Sequence, residues 1–96
     1  MGKKKSLRLF HGTSSKHLSS ILKKGLRGNP VFLTRSRKQA EDYALMTFNP
    51  FWDEKPVVLE VHVKPSKARI VKKDYFTVSN GLSPAHIFKV HQVINK

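Results

Sequence analysis

Residues 56–63 have the sequence PVVLEVHV, which is the clearest strand signal in the chain. Successive side chains of a strand point to opposite faces of the sheet. The odd-numbered positions of this segment are all apolar, whereas the even-numbered positions include Glu60 and His62. The pattern predicts a central strand with an apolar face on the core. For Glu60 and His62 it favours a pair at the surface over an acid–base pair.

A strand and a helix are predicted at the start of the chain. The segment LRLF at 7–10 predicts a short strand that ends at His11 and Gly12. Threonine and serines follow, which are typical N-cap residues, and apolar side chains then recur at helical spacing. We therefore expect a helix over 15–24, with Gly25 as its C-terminal stop.

A second strand and helix are predicted next. The run VFLT at 31–34 indicates a strand, and Ser36 is placed to cap the helix that follows. The apolar face of that helix is expected to contain Ala40, Tyr43, Ala44 and Met46. Beyond it, Phe51 and Trp52 lie between chain breakers, and we expect them to close the core or to line a pocket.

The remaining segments complete the predicted fold. A weak strand at 69–71, a strand at 75–78 and a terminal strand at 87–94 follow in order. The alternation of strands and helices predicts one small α+β domain over 1–96, with two helices and a twisted, mostly antiparallel or mixed sheet. The basic residues 1–6 are expected to form a flexible lead-in.

Composition restricts the possible functions. The chain has 19 Lys and Arg against six acids, a net charge of +13. This charge predicts a nucleic-acid partner, with RNA favoured, although basic surfaces also serve solubility or docking on anionic proteins and lipids. There is no cysteine, which excludes disulfides, thiolate nucleophiles and cysteine zinc sites.

The histidine spacings do not match a zinc motif, so we predict no metal. No apolar run approaches the roughly 20 residues of a membrane span, and we expect a cytoplasmic protein without membrane contact, as a monomer or homodimer.

Four stretches together indicate a family. LFHGT at 9–13, ILKKGL at 21–26, VFLTRSRKQAEDYA at 31–44 and PVVLEVHV at 56–63 occur in an order that resembles the ADP-ribosyltransferase superfamily. Within it, the arrangement is similar to the catalytic domain of RNA 2′-phosphotransferases, and also to the poly-ADP-ribose polymerase branch. The resemblance implies an ADP-ribosyltransferase-like fold and NAD as cofactor.

The resemblance assigns roles to five residues. It implies that His11 binds a ribose hydroxyl of NAD and that Gly12, with Thr13 beside it, lets the backbone approach the nicotinamide. It places Phe32 as a stacking platform and Ser36 as a donor to the nicotinamide amide. Four of them have a plainer alternative, since His11 could simply end a strand, Gly12 could serve only the turn, Phe32 could belong to the core, and Ser36 could serve only as a helix cap.

The chain also departs from the family pattern. Transferases of this type place a catalytic glutamate on a late strand, whereas this chain has no glutamate after Glu60. Asp74 is the only acid in that region, so it is the candidate catalytic acid beside His11, or else a solvated turn residue. Basic residues hold the phosphate in the phosphotransferase branch, and the candidates for that role here are Arg27, Arg35 and Arg37.

Three functions are compatible with these features. The first is an NAD-dependent transferase that acts on a nucleic acid or on its 2′-phosphate. The second is a member of the fold that has lost catalysis and binds RNA or DNA through its basic surface. The third is a small effector that docks on an acidic protein. The first requires a cleft between the two helices, lined by His11, Gly12 and Phe32.

Overall fold

The elements of the fold were assigned in a computed structural model that describes residues 7–27, 31–47, 50–52, 54–79 and 81–93. The helices are α1 (Ser15–Lys24) and α2 (Arg37–Thr47). The strands are β1 (Leu7–Ser14), β2 (Val31–Thr34), β3 (Pro56–Val63), β4 (Arg69–Lys72), β5 (Tyr75–Val78) and β6 (Ile87–Gln92). Short 3-10 turns lie at Pro50–Trp52, Pro65–Lys67 and Pro84–His86.

The described strands form one six-stranded sheet in the order β4-β5-β2-β1-β3-β6, and every neighbouring pair is antiparallel. The α+β prediction with two helices is therefore confirmed, and of the two sheet types expected, the antiparallel one is found. The basic lead-in expected at 1–6 lies outside the described residues.

The two helices cover opposite faces of the sheet. Adjacent residues of β1 and β3 belong to different apolar clusters: Leu9 and Leu59 pack on the side of α1 with Ile21. Phe10 and Val58 pack on the side of α2. Because side chains alternate along a strand, this division places one helix on each face. The α1 side contains most of the buried apolar residues, and the α2 side has a smaller cluster.

The ends of α1 follow the predicted bounds. Ser14 precedes the helix in an extended conformation, and Gly25 follows it at a φ of 86°, a value that favours glycine. The Gly25 amide donates to the Ile21 carbonyl oxygen at 2.7 Å, which satisfies the last turn. For α2, the Gln39 amide donates to the Ser36 hydroxyl oxygen at 3.3 Å, so the predicted cap is confirmed.

β1 is longer than the sequence suggests. The strand does not end at His11 and Gly12, because pairing with β3 continues through Gly12↔Val58 to Ser14↔Pro56. β3 lies between β1 and β6, and only His62 among its eight residues is not buried. The prediction of an interior strand at 56–63 is confirmed. Pairing across the sheet therefore keeps the His-Gly-Thr segment extended.

Several expected core residues are exposed. Tyr43 and Met46 are 56% and 80% exposed, so the buried face of α2 is narrower than predicted and consists of Ala40 and Ala44. Phe51 and Trp52 are 94% and 75% exposed and do not close the core.

The last predicted strand ends at Gln92, and its expected last residue, at 94, lies outside the described part. Neither described helix is long and apolar enough to span a membrane.

Candidate functional site

Strand pairing in the sheet is largely interrupted between β1 and β2. The two strands share a single register pair, Phe10↔Thr34, whereas β1 and β3 share eight. Beyond Phe10 the ladder does not continue toward Gly12 and Phe32. Instead, His11 Nδ1 lies 2.9 Å from the Phe32 carbonyl oxygen. The side chain of His11 thus replaces a backbone hydrogen bond between the two strands.

A cleft of about 400 Å³ opens at this interruption. Its walls come from β1, β2 and α2, with Tyr75 of β5 at one side and Arg27 at another. The expected lining residues His11, Gly12 and Phe32 all lie here. The cleft does not lie between the two helices, as expected, because α1 covers the other face of the sheet. Its volume is within the range of small-molecule sites.

Three exposed aromatic rings line the cleft. Phe32 is 61% exposed, Tyr43 is 56% exposed and Tyr75 is 41% exposed. Phe32 is therefore not a core residue, although it lies on a short apolar strand. Tyr75 was not predicted as a site residue, since nothing in the sequence places β5 beside β2, and Tyr43 was instead expected on the apolar face of α2. Aromatic faces grouped in one concavity can stack on a planar ring.

His11 is held as a neutral imidazole. A carbonyl oxygen only accepts hydrogen bonds, so Nδ1 carries the hydrogen and Nε2 is left as the acceptor. Burial lowers the pKa of His11 below its ordinary value of 6.5, and the hydrogen bond to Phe32 opposes this effect only in part. His11 therefore offers Nε2 to a hydroxyl donor at neutral pH.

A polar network lies at the β2 end of the cleft. The Thr34 hydroxyl donates to Gln39 Oε1 at 2.9 Å and accepts the Ser36 amide at 3.1 Å. Thr34 and Gln39 line the cleft, whereas Ser36 does not. Because its oxygen is bonded to Thr34, Gln39 keeps its amide nitrogen as a donor. Ser36 caps α2 and supports this network from behind the cleft.

Gly12 is required by packing against α2. A Cβ at this position would overlap the Ala40 carbonyl oxygen and lie 2.9 Å from the Ala44 amide nitrogen. The absence of a side chain therefore lets α2 lie directly on β1. Thr13 is buried beside Gly12. Together with His17 it lines a smaller cavity of about 190 Å³. His11 and Tyr43 line both this cavity and the cleft.

The three candidate arginines do not converge. Arg27 lines the cleft. Arg35 lies with its guanidinium 5.4 Å from the centre of the Phe76 ring, and its amide donates to the Asp74 carbonyl oxygen. Arg37 donates to the Glu41 carboxylate at 3.0 Å on the exposed side of α2. Only Arg27 of the three is therefore placed to contact a molecule in the cleft.

Asp74 lies in the turn between β4 and β5, half-buried, next to Tyr75. It does not line the cleft, and no other aspartate or glutamate among the described residues does. Among the described residues, His11 therefore has no carboxylate beside it in the cleft.

A second cluster of titratable groups lies outside the cleft, on β3 and β6. Glu60 is only 7% exposed, so it is not the surface residue that the sequence favours. Its two carboxylate oxygens accept hydrogen bonds from His62 Nε2 at 3.2 Å and from His91 Nε2 at 3.0 Å. Phe88 stacks on His62 with ring centres 4.3 Å apart.

The hydrogen bond from His91 lowers the pKa of Glu60, burial opposes this, and His62 and the Arg8 charge lower it further. The described part of the chain contains no group of three histidine, aspartate or glutamate side chains arranged to hold a metal ion. The cluster is therefore a hydrogen-bonded carboxylate between two imidazoles.

No family model and no curated protein sequence matches the chain.

Proposed function

We propose that this protein binds an NAD-type nucleotide in the cleft and acts on a nucleic acid, in the manner of an RNA 2′-phosphotransferase-like member of the ADP-ribosyltransferase superfamily. The observation that carries the proposal is the grouping of His11, Arg27 and three exposed aromatic rings around one cavity. This combination suits a ligand that has flat rings, ribose hydroxyls and phosphate.

Each side chain has a distinct task in the proposed site. Phe32, Tyr43 and Tyr75 present ring faces to a planar heterocycle. His11 Nε2 accepts a hydrogen bond from a ribose hydroxyl, and Arg27 binds phosphate oxygens through its planar fork. When bound, NAD would supply a ribose carbon from which nicotinamide can leave. Tight positioning by these groups is the contribution that the protein makes to such a reaction.

Titration of NAD by calorimetry tests the binding step. We expect saturable binding by the natural protein and weaker binding by His11→Asn, since asparagine can keep a donor for the Phe32 carbonyl but has no acceptor in place of Nε2. The loss of one hydrogen bond should weaken binding by about 3- to 10-fold. Arg27→Ser should also weaken binding, whereas Arg37→Ser removes the same charge outside the cleft and should not.

Release of the 2′-phosphate from an RNA oligonucleotide in the presence of NAD tests the reaction itself. Turnover that disappears in His11→Asn would support the proposal. Absence of any saturable NAD binding by the natural protein would overturn it.

A catalytically inactive nucleic-acid-binding protein is the second candidate. It is favoured by the absence of a carboxylate among the described residues of the cleft, because a cationic ribosyl centre is stabilised by nearby negative charge. Such a protein should bind RNA with a strong dependence on salt and should not bind NAD.

A further inference from the structure

A second and larger cavity, of about 970 Å³, lies where the segment before β4, the end of β5 and the segment before β6 meet. We call this cavity the basic groove. Three basic side chains line it, namely Lys67, Arg69 and His86. Four hydroxyl side chains lie among them: Ser66, Thr77, Ser79 and Ser83. Buried Val78 and Leu82 form its apolar floor.

The groove contains positive charge without compensation. None of its described lining residues is acidic. Lys67 and Arg69 are exposed, and no described carboxylate lies within ion-pair distance of either. The two cations are therefore available to an external anion, together with hydroxyl groups that can donate hydrogen bonds to its oxygens.

The side chain of His86 is held in a fixed position in the groove. Its Nδ1 lies 3.1 Å from the Ser83 hydroxyl, within the turn in which the His86 amide donates to the Ser83 carbonyl oxygen. The hydrogen bond engages Nδ1 and leaves Nε2 for another partner. The groove thus combines two exposed cations with one polar ring.

The basic groove adjoins the cleft across one pair of strands. Phe32 of β2 and Thr77 of β5 are partners in register; Phe32 lines the cleft and Thr77 lines the groove. Directly paired residues lie about 5 Å apart. The two cavities are therefore close along the sheet, although Val78 and Leu82 at the floor of the groove belong to the apolar cluster on the α1 side, whereas the cleft lies on the α2 side.

We infer that the basic groove binds the sugar–phosphate backbone of single-stranded nucleic acid. Repeating phosphates match the row of uncompensated cations and hydroxyls, and a concave groove admits a single strand more readily than a rigid duplex. The described lining contains no phenylalanine, tyrosine or tryptophan for base stacking. Binding here therefore depends on phosphates and tolerates any sequence.

This inference rests on the proposed function only in taking nucleic acid as the substrate. Fluorescence anisotropy with a labelled single-stranded RNA of about 12 nucleotides tests it. The variant Lys67→Ser/Arg69→Ser removes two charges from the groove. The matched control Lys23→Ser/Lys24→Ser removes two exposed charges from the last turn of α1, so both variants have the same net charge.

The groove variant should lose at least about tenfold more affinity than the control. In this variant the slope of log affinity against log salt concentration should also become shallower by about 1.4, that is 0.7 for each of two phosphates. Equal losses in the two variants would overturn the inference, since affinity would then depend on overall charge alone.

Calorimetry with NAD on the same two variants separates this inference from the proposed function. NAD affinity unchanged in the groove variant, together with the selective loss of RNA affinity, supports the groove. If the natural protein fails to bind NAD while the groove variant still shows its selective loss of RNA affinity, the groove stands and the proposed function is wrong.

Discussion

The buried carboxylate of Glu60 accepts a hydrogen bond at 3.0 Å from His91, a residue 31 positions later on the neighbouring strand. Glu60→Gln removes the charge and should destabilise the protein by about 1–3 kcal/mol, because hydrogen bonds to charged groups are the stronger ones. Thermal or urea unfolding at neutral pH measures this change.

The same hydrogen bond makes stability depend on pH. Because the pKa of folded Glu60 is lowered from 4.5, its contribution is fully present above pH 4.5 and is lost as pH falls through the folded pKa. The difference in free energy of unfolding between the natural protein and Glu60→Gln should therefore shrink below pH 4.5. A difference that stays constant down to pH 3 would contradict this prediction.

His11 should titrate below the ordinary histidine range. Its folded pKa is lowered by burial, so its neutral form contributes stability above pH 6.5, and that contribution falls as pH drops from 6.5 through the folded pKa. An NMR titration of the imidazole signals measures the pKa directly. Midpoints for His11 at or above 6.5 would show that the ring is not buried as described.

Gly12→Ala should be strongly destabilising. The added methyl group overlaps the Ala40 carbonyl oxygen, so α2 must move away from β1, at a cost of about 1–3 kcal/mol or more. Ser20→Ala, on the exposed side of α1, adds no contact and should stay within about 0.5 kcal/mol. Urea unfolding of both variants provides the measurement. Equal stability of Gly12→Ala and the natural protein would mean that α2 does not lie against Gly12.

Trp52 should report on nucleic-acid binding. It is the single tryptophan of the chain, is 75% exposed and lies beside Lys16. Its fluorescence should be typical of a water-exposed indole and should be quenched by single-stranded RNA as bases stack on the ring. Trp52→Ala should weaken RNA binding by about 5- to 150-fold for one stacked base while leaving the unfolding midpoint unchanged. Unchanged fluorescence at saturating RNA would place the ring outside the interface.

The local elements could be predicted from the sequence because their signals are local. The bounds of α1 match those predicted from its N-terminal serines and Gly25, although the Ser14 side chain makes no capping hydrogen bond, and β3 follows from an alternation of apolar residues. The strand order could not be predicted, because it depends on pairings between distant segments. Without that order, the sequence does not show that Tyr75 lies beside Phe32, or that Glu60 is buried against His91.

The candidate site was predicted only in part for the same reason. His11, Gly12 and Phe32 meet at the cleft as expected, and Arg27 joins them. Arg35 and Arg37 share a basic segment in the sequence, but each is engaged elsewhere by a different partner.

The single register pair between β1 and β2 divides the sheet into two half-sheets, β4-β5-β2 and β1-β3-β6. The line between them has fewer register pairs than any other in the sheet, so we expect local opening along it. His11 belongs to one half and Phe32 with Tyr75 to the other. A molecule bound in the cleft therefore contacts both halves at once, and its binding energy also resists their separation.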